Sequence, residues 1–168
     1  MASSSSSSAR PWPLISLIGG VLALIGFFLP WFLSSDTAPK AGSVSGLGLV
    51  LNLFDVFQQG AGSPILFFVL AILLLVGLAA LAQIAFGGLA LSGRLTRVGA
   101  SRQIGIALAG LVLLVLAVGF FLIVVSALSN LDTGSANGGL LIPGFGAWMM
   151  AVGFVDGMVS GILIRRSL

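Results

Sequence analysis

The sequence predicts an all-α integral membrane protein: a bundle of four transmembrane helices, both termini in the cytoplasm, with a short amphipathic helix in the first outer loop. Three observations predict it. Of the 168 residues, 58% are hydrophobic and only 7% are charged, where a soluble domain carries about a quarter charged residues. The few charges divide the chain into four long stretches, uncharged except for Asp156 in the last, each holding the roughly 20 mostly apolar residues that a helix needs to cross a bilayer at about 1.5 Å per residue. Finally, Arg10, Arg94, Arg97, Arg102, Arg165 and Arg166 all fall on one side of those stretches, and the side richer in Lys and Arg is the cytoplasmic one.

Each element follows in order. Residues 1–12 form a Ser-rich tail with no apolar surface to offset the entropy of ordering it, so disorder is expected. The first span covers 13–33. Its apolar run exceeds the roughly 7 to 15 residues of a secretory signal, and no A-x-A-like site follows, so it is read as retained. Trp12 and Trp31 bracket it 19 residues apart, about 28 Å along a helix, which matches the hydrocarbon thickness. Both read as interfacial anchors, as does Trp148 near the outer end of the last span.

The outer segment 34–63 exceeds the roughly 2 to 8 residues that join neighbouring helices. Within it Val50, Leu53, Phe54 and Phe57 recur at helical spacing, which predicts an amphipathic helix over about 47–59, too short to span. It would form a lid on the bundle or a docking surface for a partner or lipid. The second span, 64–91, opens on Pro64, whose missing N–H costs nothing in a first turn. A cytoplasmic Arg loop occupies 92–102, the third span 103–128, a polar glycine-rich outer loop 129–142, the fourth span 143–164 and a cytoplasmic tail 165–168. The string GFFL occurs at Gly26 and again at Gly119, an echo that a duplicated helical hairpin or coincidence among apolar segments would equally leave.

The composition removes most chemistry. There is no Cys, His or Tyr, and the acids are four Asp with no Glu. The usual ligands of zinc, copper and haem iron are missing, together with the thiol nucleophile and the imidazole base. No catalytic residue, metal site or required cofactor is expected. A lipid, quinone or pigment would be held through apolar groups, amides, backbone carbonyls or water, never through His or Cys. The arginines are split among short segments and form no nucleic-acid groove.

What remains is packing and a few intramembrane polar groups. Gly153, Gly157 and Gly161 recur every fourth residue in the last span, and small residues let lipid-embedded helices approach closely. Gly19 with Ala23, and Gly105 with Ala109, offer matching faces on the first and third spans. Asp156 is the one ionisable residue deep in a span, where a charge costs roughly 2.5 to 3.5 kcal/mol. It lies at a depth similar to that of Gln83, so a hydrogen bond between them is open, with Ser160 and Ser16 as further polar candidates.

Four spans with internal termini, the Trp of FLPWF after the first span and a long first outer loop resemble the layout of claudin-like tetraspan proteins. The paired cysteines and the W-x-G-L-W pattern of that family's first outer loop are absent, as is the cysteine-rich second outer loop of tetraspanins. The resemblance is one of layout, without membership. The role expected from the residues is that of a non-catalytic small membrane subunit or scaffold. It would pack against other integral subunits and lipids in a larger complex of the bacterial inner membrane, a respiratory or photosynthetic one being a plausible host. Two other roles compete: an oligomeric channel or transporter using Asp156 and Gln83, and a sensor or interaction protein acting through the outer loop.

Overall fold

Pro30 decides where the first helix ends. In a computed structural model that describes residues 11–34, 43–131 and 141–168, α1 covers Trp12–Phe28. A residue before proline is pushed out of the helical region, and Leu29 is accordingly extended, with φ −84° and ψ 161°. The chain continues as β1 (Pro30–Ser34), which the sequence had merged into the first span. β1 pairs antiparallel with β2 (Val44–Ser45) on one side and β3 (Leu141–Pro143) on the other, so a small sheet of order β2-β1-β3 caps one end of the helices. Pro30 sits at the start of its strand, where a missing donor is tolerated.

The remaining helices are α2 (Gly46–Gln58), α3 (Pro64–Leu91), α4 (Arg97–Leu131) and α5 (Phe145–Ser167). Their ends are chemically marked. Ser45 and Ser63 accept hydrogen bonds from Gly48 N and Leu66 N at 3.0 and 3.3 Å, and Thr96 accepts from Gly99 N at 3.1 Å; each satisfies one orphan donor of a first turn. α2 and α3 stop at Gly60 and Gly93, with φ +75° and +69°. Paired bonds close both ends: Ala61 N to Val56 O with Gly60 N to Phe57 O, and Arg94 N to Leu89 O with Gly93 N to Ala90 O. This is the Schellman pattern, and it needs a left-handed residue.

Two boundaries differ from expectation. α4 begins at Arg97, so Arg97 and Arg102 are helical and the connection between α3 and α4 shrinks to residues 92–96. Pro143 closes β3 and does not open the last span, whose N-cap is Gly144.

The helices form a ring: α1 packs on α3 and α5, and α4 packs on the same two from the other side, so α1 faces α4 and α3 faces α5 across the axis. The inward residues follow an alternating three-four spacing: Leu73, Val76, Ala80, Gln83, Gly87 and Ala90 on α3, and Ala100, Gln103, Ala107, Gly110, Leu114 and Ala117 on α4. That is the heptad seam of left-handed helix packing. Small residues set the closeness. A methyl group on Gly20 would meet Ile84 N at 2.7 Å, on Gly87 it would meet the Leu17 Cα at 2.7 Å, and on Gly110 it would strike the Phe154 ring.

Outside this seam the surface is apolar. Phe67, Phe68, Val115 and Ile123 are each more than 60% exposed, a contiguous distribution that water would not tolerate. Among the described residues three helices, α3, α4 and α5, are long and apolar enough to cross a membrane, and α1 is shorter at 17 residues. The chain is thus an all-α integral membrane protein with a minor sheet. The GFFL echo carries no shared packing: Gly26 is buried against Gly146 and Met150, while Gly119 has open space beside it.

Candidate functional site

Ser16, Gln83, Gln103 and Ser160 are the buried polar side chains of the described residues, all with no exposed surface, and they come from α1, α3, α4 and α5 respectively. Each takes an inward position on its helix, so the ring brings them to one level. Gln103 Nε2 donates to Ser16 Oγ at 2.5 Å, linking α4 to α1 across the axis, and to the Gly157 carbonyl at 3.1 Å. Ser160 Oγ donates to that same carbonyl at 3.2 Å. Across the other diagonal the Gln83 amide lies against Gly157, so close that any side chain at residue 157 would overlap it.

Gly157 is therefore the centre of the layer. Its carbonyl collects two donors and its bare Cα admits the glutamine from the opposite helix. Gln83 Nε2, Gln83 Oε1 and Gln103 Oε1 have no hydrogen-bond partner, and each such buried group costs roughly 1 to 3 kcal/mol. Two of the three bonds that do form end on one backbone oxygen, the Gly157 carbonyl, and the third ends on the Ser16 hydroxyl.

The chain matches no protein-family model, no curated protein and no solved structure. Its functional reading rests on its own residues.

Ser16, Gln83 and Ser160, the polar candidates of the sequence, share the layer; Gln103, at the expected start of the third span, is a member that the sequence reading does not include. Asp156 stands apart. It is only part-buried, at the α1–α5 seam, where a methyl group on Gly19 would come within 2.9 Å of its Cβ. The expected hydrogen bond from Gln83 to Asp156 is not formed, because Gln83 points at the neighbouring Gly157 and its amide atoms bond nothing.

The small-residue faces divide in the same way. Gly153 meets the Gly19 carbonyl and Ala23 of α1, and Gly161 faces Ile104 of α4, with the hypothetical methyl at 2.9 Å. Gly105 has nothing beside it and Ala109 is exposed, so they do not form the matching face on α4; Ala107 and Gly110 turn inward instead. Two of the three tryptophans also depart from a simple anchor. Trp31 is fully buried, edge-on to Phe27 at 5.9 Å, and its Nε1 donates to the Gly26 carbonyl at 3.0 Å. Trp12 is half-buried against a small cluster with Ala90, Leu95, Ala100 and Ile164. Trp148 is 64% exposed and lines an apolar groove of about 280 Å³ between α4 and α5, with Leu114, Val118 and Ala147.

On α2, Val50 is buried and Leu53 and Phe57 are half-buried against the core, while Phe54 turns outward. Arg94, Arg97, Arg102, Arg165 and Arg166 are all exposed. Arg10, the serines at 3–8 and the charged residues Asp36, Lys40 and Asp132 lie outside the described residues. No group of three or more His, Cys, Asp or Glu converges among the described residues.

Proposed function

We propose that this chain is a non-catalytic integral-membrane subunit or scaffold that packs into and stabilises a larger membrane complex, a respiratory or photosynthetic one being the first host to test. It spans the bacterial inner membrane four times with both termini in the cytoplasm. α1 is the fourth span: its 17 residues extend about 26 Å and sit at the lower end of the spanning range. The observation that carries the reading is the polar layer. Of its four buried side chains, one from each packed helix, Gln103 ties α4 to Ser16 of α1 and to the Gly157 carbonyl of α5, Ser160 turns back onto that carbonyl, and Gln83 lies against Gly157 without a hydrogen bond. Among the described residues the one acid within a span, Asp156, lies part-buried at the α1–α5 seam apart from the polar layer, while large apolar side chains face outward, available to lipid and partner helices. Purification in mild detergent tests this: stoichiometric recovery of larger membrane subunits is expected, and a pure homo-oligomer that conducts ions in liposomes would overturn it.

One observation favours the channel or transporter reading, namely the Gln83 amide without partners on the axis. Under that reading Asp156→Asn abolishes a measured ion flux while leaving assembly intact. Exposed Leu51 and Phe54 on α2 give the sensor or docking reading its surface, which deletion of partner binding by Phe54→Ser would support.

A further inference from the structure

The topology rule asks only that arginines lie on one side of the membrane; it does not ask them to converge. Three of them do. Arg97 at the start of α4 and Arg165 and Arg166 at the end of α5 line one cleft of about 420 Å³, whose other walls are Ile104 and Ile162. Arg97 and Ile104 are two turns apart on one face of α4, and Ile162 and Arg166 one turn apart on α5, so the cleft runs along the seam with a cationic end and an apolar end. The helices are held together just below it, where Gly161 packs on Ile104. Arg94 and Arg102 serve the same topological bias but stay outside the cleft.

The charge in the cleft is uncompensated by described side chains. Asp55 is on α2, against the sheet-capped end, and Asp156 sits beside Gly19. Guanidinium groups offer planar forks of N–H donors that fit phosphate oxygens in pairs. A volume of about 420 Å³ falls within the roughly 300–1,000 Å³ of small-ligand clefts, larger than a lone phosphate needs. A ligand with a phosphodiester at one end and a hydrocarbon chain at the other fills both ends at once.

We propose that this cleft binds the headgroup phosphate of an anionic phospholipid, with an acyl chain lying along Ile104 and Ile162. The assignment rests on the membrane-spanning reading but not on the identity of the host complex. Native mass spectrometry of the delipidated full chain, offered phosphatidylglycerol and phosphatidylcholine together, tests it. The wild type should retain phosphatidylglycerol preferentially. Arg97→Gln/Arg165→Gln should lower that retention by roughly five- to tenfold, whereas Arg94→Gln/Arg102→Gln, with the same loss of charge, should leave it nearly unchanged. Arg165→Lys/Arg166→Lys keeps the charge and loses the fork, so a several-fold loss is expected even if a Gln variant folds poorly. Equal losses from the two Gln pairs, or equal retention of the two lipids, would overturn the proposal. So would full displacement of the lipid by excess inorganic phosphate, which would make the site one for the free anion. Cysteine-labelling topology is a separate readout, so failure of lipid preference and failure of the membrane orientation are distinguishable.

Discussion

Gln83 and Gln103 are the same residue type at the same level of the bundle, yet they should respond oppositely to the same substitution. Gln103 Nε2 makes two bonds, to Ser16 and to Gly157. Gln103→Leu would take the donor away from both the Ser16 hydroxyl and the Gly157 carbonyl, and a loss of about 1 to 3 kcal/mol is expected. Gln83 makes no bond at all, so Gln83→Leu, close in volume, removes an unsatisfied amide and should raise stability by about 1 kcal/mol. Unfolding of detergent-solubilised protein by heat or denaturant reads both; a loss for Gln83→Leu as large as that for Gln103→Leu would show that Gln83 is paired in the membrane. Three polar members of the layer, Ser16, Gln83 and Ser160, are legible in sequence because Gln and Ser stand out among apolar residues, whereas Gln103 beside Arg102 does not stand out. Which helix faces meet was not visible, because a helix apolar all round has no polar side to mark its exterior. Gly105 and Ala109 look as suited to packing as Ala107 and Gly110, and only the three-four register shared with Gln103 separates them.

At the scale of elements, helix ends were more legible than strands. Pro64 after Ser63 marked the start of α3 correctly, since proline in a first turn gives up a donor that has no acceptor there. The sheet was hidden because PWFLS continues an apolar run and its partners are only two and three residues long. The proline that ends α1 also explains the fate of Trp31. An α-helix would pair the Gly26 carbonyl with the N–H of residue 30, which proline lacks, and the indole Nε1 takes that place. Trp31→Phe keeps an aromatic ring beside Phe27 but gives up part of the packing that the indole Cε2 and Cζ2 make at Gly46, and it leaves a buried carbonyl unpaired. A loss of about 1 to 3 kcal/mol is expected, with α2 and the sheet end becoming more labile to hydrogen exchange than the level of Gln103. Uniform loss of protection along α1 would contradict this local role.

For the molecule as a whole, net charge misleads and its distribution informs. A net charge of +3 suggests a basic protein, whereas the five described arginines grouped at one end and a sheet with α2 at the other give the molecule two unlike ends. The turn between α3 and α4 carries Arg94, and Arg97, Arg165 and Arg166 meet in one cleft, so the start of α4 and the ends of α3 and α5 share a membrane face. If α1 also crosses, residue 8 must lie on that face too. The chain contains no cysteine, so single cysteines can report side without a background. With Ser8→Cys, Ser92→Cys and Gln59→Cys, a membrane-impermeant maleimide added to spheroplasts should label only residue 59, and residues 8 and 92 should label after permeabilisation. Labelling of residue 8 from outside, with residue 92 still protected, would mean that α1 does not cross and that three spans carry the fold. Labelling of residue 92 from outside would reverse the molecule and remove the cleft arginines from the cytoplasmic leaflet. The substituted positions at 59 and 92 are exposed and lie at helix ends, so the measurement reports topology with little cost to packing.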